Sequence, residues 1–366
     1  MDNRIESLAK LLVNYSLELK PGQLFKISGE PVAEPLIKAV YKEALKVGAY
    51  PYVDLALIDI RELFFKNANG DQLRYLSPLR MFEIEKIDAL LHIWGTTNTK
   101  NMSNIDPSRQ RLFSQAMRPY HDRYFARTAE QSLHWCGTQF PTAACAQDAE
   151  MSLDEYEDFV YRAGHVHESD PVGYWLKVKA EQDRLANILN QAEMIHLRAD
   201  GTDLKMNVKG RKWINCCGQE NFPDGEIFTS PIEDSTNGTI RFTFPAFYGG
   251  REVVGVVLKF KDGVVVEAKA DKDEEYLLTM LDTDEGARRV GEFAIGTNYE
   301  IKKFTKNTLF DEKIGGTCHM AVGAGLGEAG GKNQSSIHWD IVCDLKKGGE
   351  ITADGKTVYR DGNFII

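Results

Sequence analysis

Ser335-Ser336-Ile337-His338-Trp339-Asp340-Ile341-Val342, preceded by Thr317-Cys318-His319, decides how this chain is read. The later run predicts a strand, and residues at i and i+2 of a strand share a face. His338 and Asp340 therefore project together, with Trp339 on the opposite side. An imidazole and a carboxylate converging on one point bind a divalent metal such as zinc, although such a pair also occurs on exposed strands without one. Two upstream stretches add carboxylates. Pro223-Asp224-Gly225-Glu226 is a turn ending in an acid, and Glu292 sits within Arg289-Val290-Gly291-Glu292-Phe293-Ala294. A glutamate between apolar neighbours is either exposed on a helix or buried and in need of a partner.

The 366 residues suffice for two domains, and 43% hydrophobic with 27% charged residues is ordinary for a globular chain. A net charge of −10 argues against a nucleic-acid surface. No apolar run approaches the ~18 residues of a membrane span, and the first residues lack the basic-then-apolar pattern of a signal peptide. The expectation is a cytoplasmic protein. The cysteines at 136, 145, 216, 217, 318 and 343 form no Cys-x-x-Cys pair and read as reduced thiols. Cys318 and Cys343 read as small core residues, with soft metal ligand as the alternative.

In chain order, apolar residues at helical spacing predict a helix over 3–18 and another over 33–47, capped by Gly48. Strands are expected at 24–27, 52–55, 87–94 and 133–136, with helices at 58–66 and 172–189. This alternation implies an α/β N-terminal domain with a largely parallel sheet. From Met194 the chain turns to strands separated by glycine and aspartate turns, at 194–199, 204–208, 238–244, 253–260, 264–268 and 337–345. Asp262-Gly263 marks a hairpin, another spans 351–364, and helices are read at 274–281 and 285–294. The expected division is 1–190, α/β, and 191–366, an α+β domain carrying the metal site.

Several motifs weaken on inspection. Gly325-Leu326-Gly327-Glu328-Ala329-Gly330 matches G-x-G-x-x-G, but no helix follows it, as a dinucleotide site requires. Asp271-Lys272-Asp273 and Asp282-Thr283-Asp284 lack the calcium-loop pattern and read as acidic helix starts. His165-Val166-His167 reads as a solvated loop. Asp311-Glu312-Lys313 reads as a surface ion pair or as a group that orients His319.

Glu226, Glu292, His319, His338 and Asp340 together offer three carboxylates and two imidazoles. Two divalent ions would be neutralised by these carboxylates with a bridging hydroxide, so that partial burial is tolerable. Here the sequence resembles a known family, the M29 metallo-aminopeptidases of the aminopeptidase T and aminopeptidase S group. The resemblance runs through Asn221–Thr229, Gly291-Glu292-Phe293-Ala294, Leu309–His319 and His338-Trp339-Asp340. It implies that these five residues bind two divalent ions, zinc or cobalt, with magnesium or manganese as further candidates. It also implies an aminopeptidase acting on short peptides, and a homodimer sheltering its active sites. Glu292 or Glu312 would carry the proton to the leaving amine. One position departs from the family. The tyrosine usual seven residues after the first motif histidine is replaced by Leu326, which cannot donate to an oxyanion. Hydrolysis of another small amide, or metal binding without turnover, is the alternative this leaves open.

Overall fold

The computed structural model describes residues 2–366. These residues group by contact into two compact units, one of 2–172 with 218–223 and one of 173–217 with 224–366. The sequence places the division at 190. The helix Pro171–Leu189 contributes Leu185, Ala186 and Leu189 to the core of the second unit, so the contacts divide the chain near its start.

The first unit opens with helix α1 (Asn3–Leu11), prolonged by a wider turn over Leu12–Ser16, and Ile5, Leu8, Leu11, Leu12 and Tyr15 are all buried as their spacing predicts. Strands β1 (Leu24–Gly29), β2 (Tyr50–Leu55), β3 (Ala89–Trp94) and β4 (His134–Gln139) join the short strand Asn221–Phe222 in a sheet ordered β2-β1-β3-β4-(221–222). Every pairing is parallel. Gly48 caps helix α2 (Glu34–Val47) at φ 89°, the left-handed conformation in which a side chain is strained.

The second unit contains two large antiparallel sheets and a two-stranded one, Ala246–Tyr248 with Arg251–Val253. An eight-stranded sheet runs from Val264–Lys269 at one edge to Asn363–Phe364 at the other. Asp262 (φ 49°) and Gly263 (φ 77°) make its expected tight hairpin turn. The other large sheet is built from β5 (Ile214–Cys216), β6 (Glu226–Thr229), β7 (Val290–Gly296), β8 (Thr317–Gly323) and β9 (His338–Asp344), in the order β9-β8-β7-β6-β5. It alternates throughout except at a bulge around Gly291. Ile227, Phe293, Ile295, Cys318, Met320, Val322, Trp339, Ile341 and Cys343 point into a core shared with Leu197, Leu204, Met206, Ile240 and Leu258 of the eight-stranded sheet. Cys318 and Cys343 face each other across β8 and β9 as core residues.

Four expectations are corrected. Residues 285–294 are not a helix; from Val290 they form the central strand β7. The stretch 253–260 divides into Arg251–Val253 and Val257–Lys261. The terminal hairpin has three strands, Glu350–Ala353, Lys356–Arg360 and Asn363–Phe364. Of the two acidic triplets, Asp273 does precede a helix, Glu274–Leu281, but Asp282 ends that helix. Asp284 instead accepts from Ser335 and Ser336, anchoring the approach to β9.

Candidate metal centre

The face of the five-stranded sheet opposite the core carries the chemistry. Period-2 alternation sets Glu226 on β6, Glu292 on β7, His319 on β8 and both His338 and Asp340 on β9 on that one face. All five predicted residues are thereby brought together. The register slips between Val290 and Glu292, a bulge that re-aims Glu292. It needs Gly291, because a Cβ there would stand 2.1 Å from the Ala324 carbonyl oxygen. That same oxygen lies 2.9 Å from His338 Nδ1. Gly291→Ala is therefore expected to displace the His338 ring and to lower activity by ~10²-fold while the fold survives, as misplacements near 1 Å do. Comparing kcat/KM with the circular dichroism spectrum checks this.

Both imidazoles are oriented in the same way. His319 Nδ1 is 3.0 Å from the Glu312 carbonyl oxygen, and His338 Nδ1 is 2.9 Å from that of Ala324. Donation to a carbonyl keeps a proton on Nδ1, so that Nε2, on losing its own proton to a bound cation, presents its lone pair beside the carboxylates, the arrangement of metal-ligating histidines. His319 Nε2 is 3.5 Å from Glu226 Oε2 and 3.6 Å from Glu292 Oε1, and His338 Nε2 is 3.5 Å from Asp340 Oδ1. These gaps are long for hydrogen bonds. They match the spacing of about 3.4 Å between two ligands of one tetrahedral ion with bonds of about 2.0–2.2 Å. Glu226 Oε2 and Asp340 Oδ1 are buried without a hydrogen-bond partner, and Glu292, His319 and Asp340 offer atoms within 4.8 Å of one another. Buried acceptors left open between imidazoles fit a divalent cation.

The electrostatics agree. Burial pushes the Glu226 carboxyl up to about 8. Burial works against an imidazolium at His319, but Glu292 and the surrounding carboxylates outweigh it and raise the ring to about 10. His338 is raised to about 12, again against burial, by Asp340 and Glu292. Without a cation, the site gathers protons in its place.

The triplet 311–313 is not on the surface. The Lys313 side chain is 0% exposed; its Nζ pairs with Glu312 and stands 3.5 Å from Glu226 Oε1 and 4.0 Å from Asp224 Oδ1. Asp311 is buried and accepts from Thr305 N–H and Oγ–H. The reading of this segment as a group that orients His319 is the one that holds, through the Glu312 carbonyl. Glu312 and Asp340 border a cleft whose walls include Pro245, Phe247, Phe304 and Val342. Leu326 packs with Phe228 and Ala294, on the face that carries the five residues, and its N–H donates to Ser230 Oγ. Sequence reasoning missed Cys216, which pairs in register with Glu226 and groups with Asp224 and Glu226 within 4.8 Å. It also missed Gln182, whose Nε2 donates to the carbonyls of Cys216 and Glu226 and fixes the β5–β6 edge. Neither carries a local sequence signal.

A sheet face bearing carboxylates and imidazoles, with open acceptors between oriented rings, defines a metal-dependent enzyme. The chain belongs to the thermophilic metalloprotease (M29) family, whose model matches residues 1–364, and it is a peptide hydrolase. It is 29% identical to aminopeptidase 2 of Geobacillus stearothermophilus, over 99% of this chain and 98% of that protein. The structure of AmpT from Thermus thermophilus superposes with a TM-score of 0.86 at 23% identity, covering 99% of both chains. A 2,5-dihydroxypyridine dioxygenase from Pseudomonas putida KT2440 has a TM-score of 0.59 at 14% identity, covering 100% of this chain and 98% of that one. One fold thus carries different chemistries, and the reaction must be argued from the site.

Proposed function

We propose that this protein is an aminopeptidase that removes the N-terminal residue of short peptides at a centre of two divalent ions, zinc or cobalt, held by Glu226, Glu292, His319, His338 and Asp340. The observation that carries this reading is the pair of buried, unpartnered acceptors, Glu226 Oε2 and Asp340 Oδ1, each 3.5 Å from an Nε2. Charge supports two ions over one. Asp224, Glu226, Glu292, Glu312 and Asp340 are buried or nearly so, and Lys313 is the cation among them. With both imidazoles neutral as ligands, five carboxylates and one ammonium leave four negative charges, which two divalent ions balance before any bound hydroxide is counted.

When bound, the ions lower the pKa of water and polarise the scissile carbonyl. The protein supplies the rest. Glu292 directs one oxygen to His319 and the other to His338, so it serves as a ligand. Glu312 borders the cleft, and burial raises its carboxyl above the usual range, although Lys313 opposes this. A raised carboxyl suits a group that takes a proton and returns it to the leaving amine. Glu312→Gln is expected to lower kcat by ~10²–10⁴-fold with metal content unchanged. Phe247, Phe304 and Val342 form the apolar side of the cleft.

The protein acts as a homodimer in the cytoplasm. Exposed Ile60, Leu63, Leu79 and Phe82 in the first unit support a covering second copy. No helix among the described residues is long and apolar enough to cross a membrane.

The test is elemental analysis of the purified protein together with amino-acid release from a dipeptide panel. About two metals per chain, release abolished by chelator and restored by zinc or cobalt, and no cleavage of N-acetylated dipeptides are expected. Chelator-insensitive release, or equal cleavage of blocked peptides, sinks the reading.

A further inference from the structure

We infer that His165, His167 and Glu168 form another divalent-cation site, in the first unit and separate from the five-residue centre, that takes an ion of the zinc class through two imidazoles and a carboxylate. The segment follows helix Leu153–Ala163, after the C-cap at Gly164. It folds back tightly on the end of that helix. His165 N–H donates to Arg162 O, Val166 N–H to Tyr161 O, and Glu168 N–H to the His165 carbonyl. Val166 is 3% exposed and pins the turn. His165 adopts φ 53°, a left-handed conformation uncommon for a side-chain-bearing residue.

That conformation sets the two rings side by side, with centroids 5.9 Å apart and planes 24° from parallel. Both face the same carboxylate. His165 Nδ1 is 4.0 Å and His167 Nε2 is 3.6 Å from Glu168 Oε1. All three donor atoms lie within 4.8 Å of one another. Ligands of a tetrahedral zinc ion stand about 3.4 Å apart, so both gaps exceed that spacing by a few tenths of an ångström. The Glu168 side chain is 46% exposed and therefore free to close on a shared ion, and His167, 37% exposed, is free to adjust with it. The preceding helix ends here, and the negative end of its dipole favours a cation. His165 is 10% exposed and His167 37%, so the site has one buried anchor and an open side where water completes the coordination. Two imidazoles with one carboxylate select zinc, nickel or copper over calcium or magnesium.

The experiment uses the untagged full chain, stripped with chelator, reloaded with zinc chloride and freed of excess. Zinc content and titration calorimetry are compared for the wild type, His167→Ala, Glu168→Gln and His319→Ala. His167 and Glu168 are exposed, so these variants keep the fold. The expected result is one zinc per chain fewer in His167→Ala than in the wild type, weaker binding in Glu168→Gln, and unchanged peptide hydrolysis in both. His319→Ala should lose activity yet retain the zinc that His167→Ala loses. Identical zinc content and isotherms in the wild type and His167→Ala would overturn the site, whatever the five-residue centre binds. If that centre fails instead, the difference between these two proteins still stands.

Discussion

Glu292→Gln is expected to lose bound metal and to lower kcat/KM by ~10³-fold or more. Glu292 lies on the central strand of its sheet and is 5% exposed. Its Oε1 faces His319 and its Oε2 lies 3.0 Å from His338 Nε2. It is the carboxylate that touches both imidazoles. Burial opposes its ionisation, yet the two rings hold its carboxyl below the usual range. Glutamine keeps the shape and removes the charge, so a structural role would survive the change and a ligand role would not. A metal contributes several kcal/mol of charge stabilisation to such a reaction, and each ~1.4 kcal/mol is tenfold in rate. Losing ~4 kcal/mol therefore gives the stated drop. Elemental analysis and dipeptide hydrolysis, with and without excess metal, read both parts. A variant with full metal content and wild-type turnover would remove Glu292 from the centre.

The route to this site was open in the sequence where periodicity was intact. His338-Trp339-Asp340 alternates without interruption, so its two faces could be assigned from spacing alone, and β9 places them as expected. Glu292 was legible as a residue and not as an element. The charged run Asp284–Arg289 resembles a helix, and the bulge at Gly291 interrupts the period that would have marked a strand. The sheet partners of a bulged strand are fixed by tertiary pairing, which local propensity does not record. The same limit applies to helix Pro171–Leu189, whose pattern predicts a helix but not which core receives Leu185 and Leu189. A triplet such as Asp311-Glu312-Lys313 ordinarily stays solvated. Its burial depends on Asp224 and Glu226, far away in sequence, arriving to share Lys313.

That shared lysine supports the other large effect. Lys313→Met should destabilise the metal-free protein by about 3–5 kcal/mol near neutral pH, the usual consequence of removing one partner of a buried ion pair. Burial alone would lower an ammonium pKa, but Glu226, Glu312 and Asp224 hold Lys313 well above its ordinary value. A lysine raised in the folded state contributes stability that is fully present below its unfolded pKa and is lost only as pH rises through the folded one. The wild type therefore has this contribution across the whole neutral range. In the variant the carboxylates respond. Burial already raises Glu226 to about 8 and lifts Glu312, and removing the ammonium raises both further. An acid raised in the folded state binds protons there that the unfolded chain has released, so stability falls as pH climbs from its unfolded value through its folded one. The deficit of Lys313→Met should thus be small near pH 5 and largest at pH 8. Denaturant unfolding of the chelated proteins at both values measures it. A deficit equal at the two pH values would assign the loss to the cavity left by the side chain, and the charge argument for Lys313 would fail.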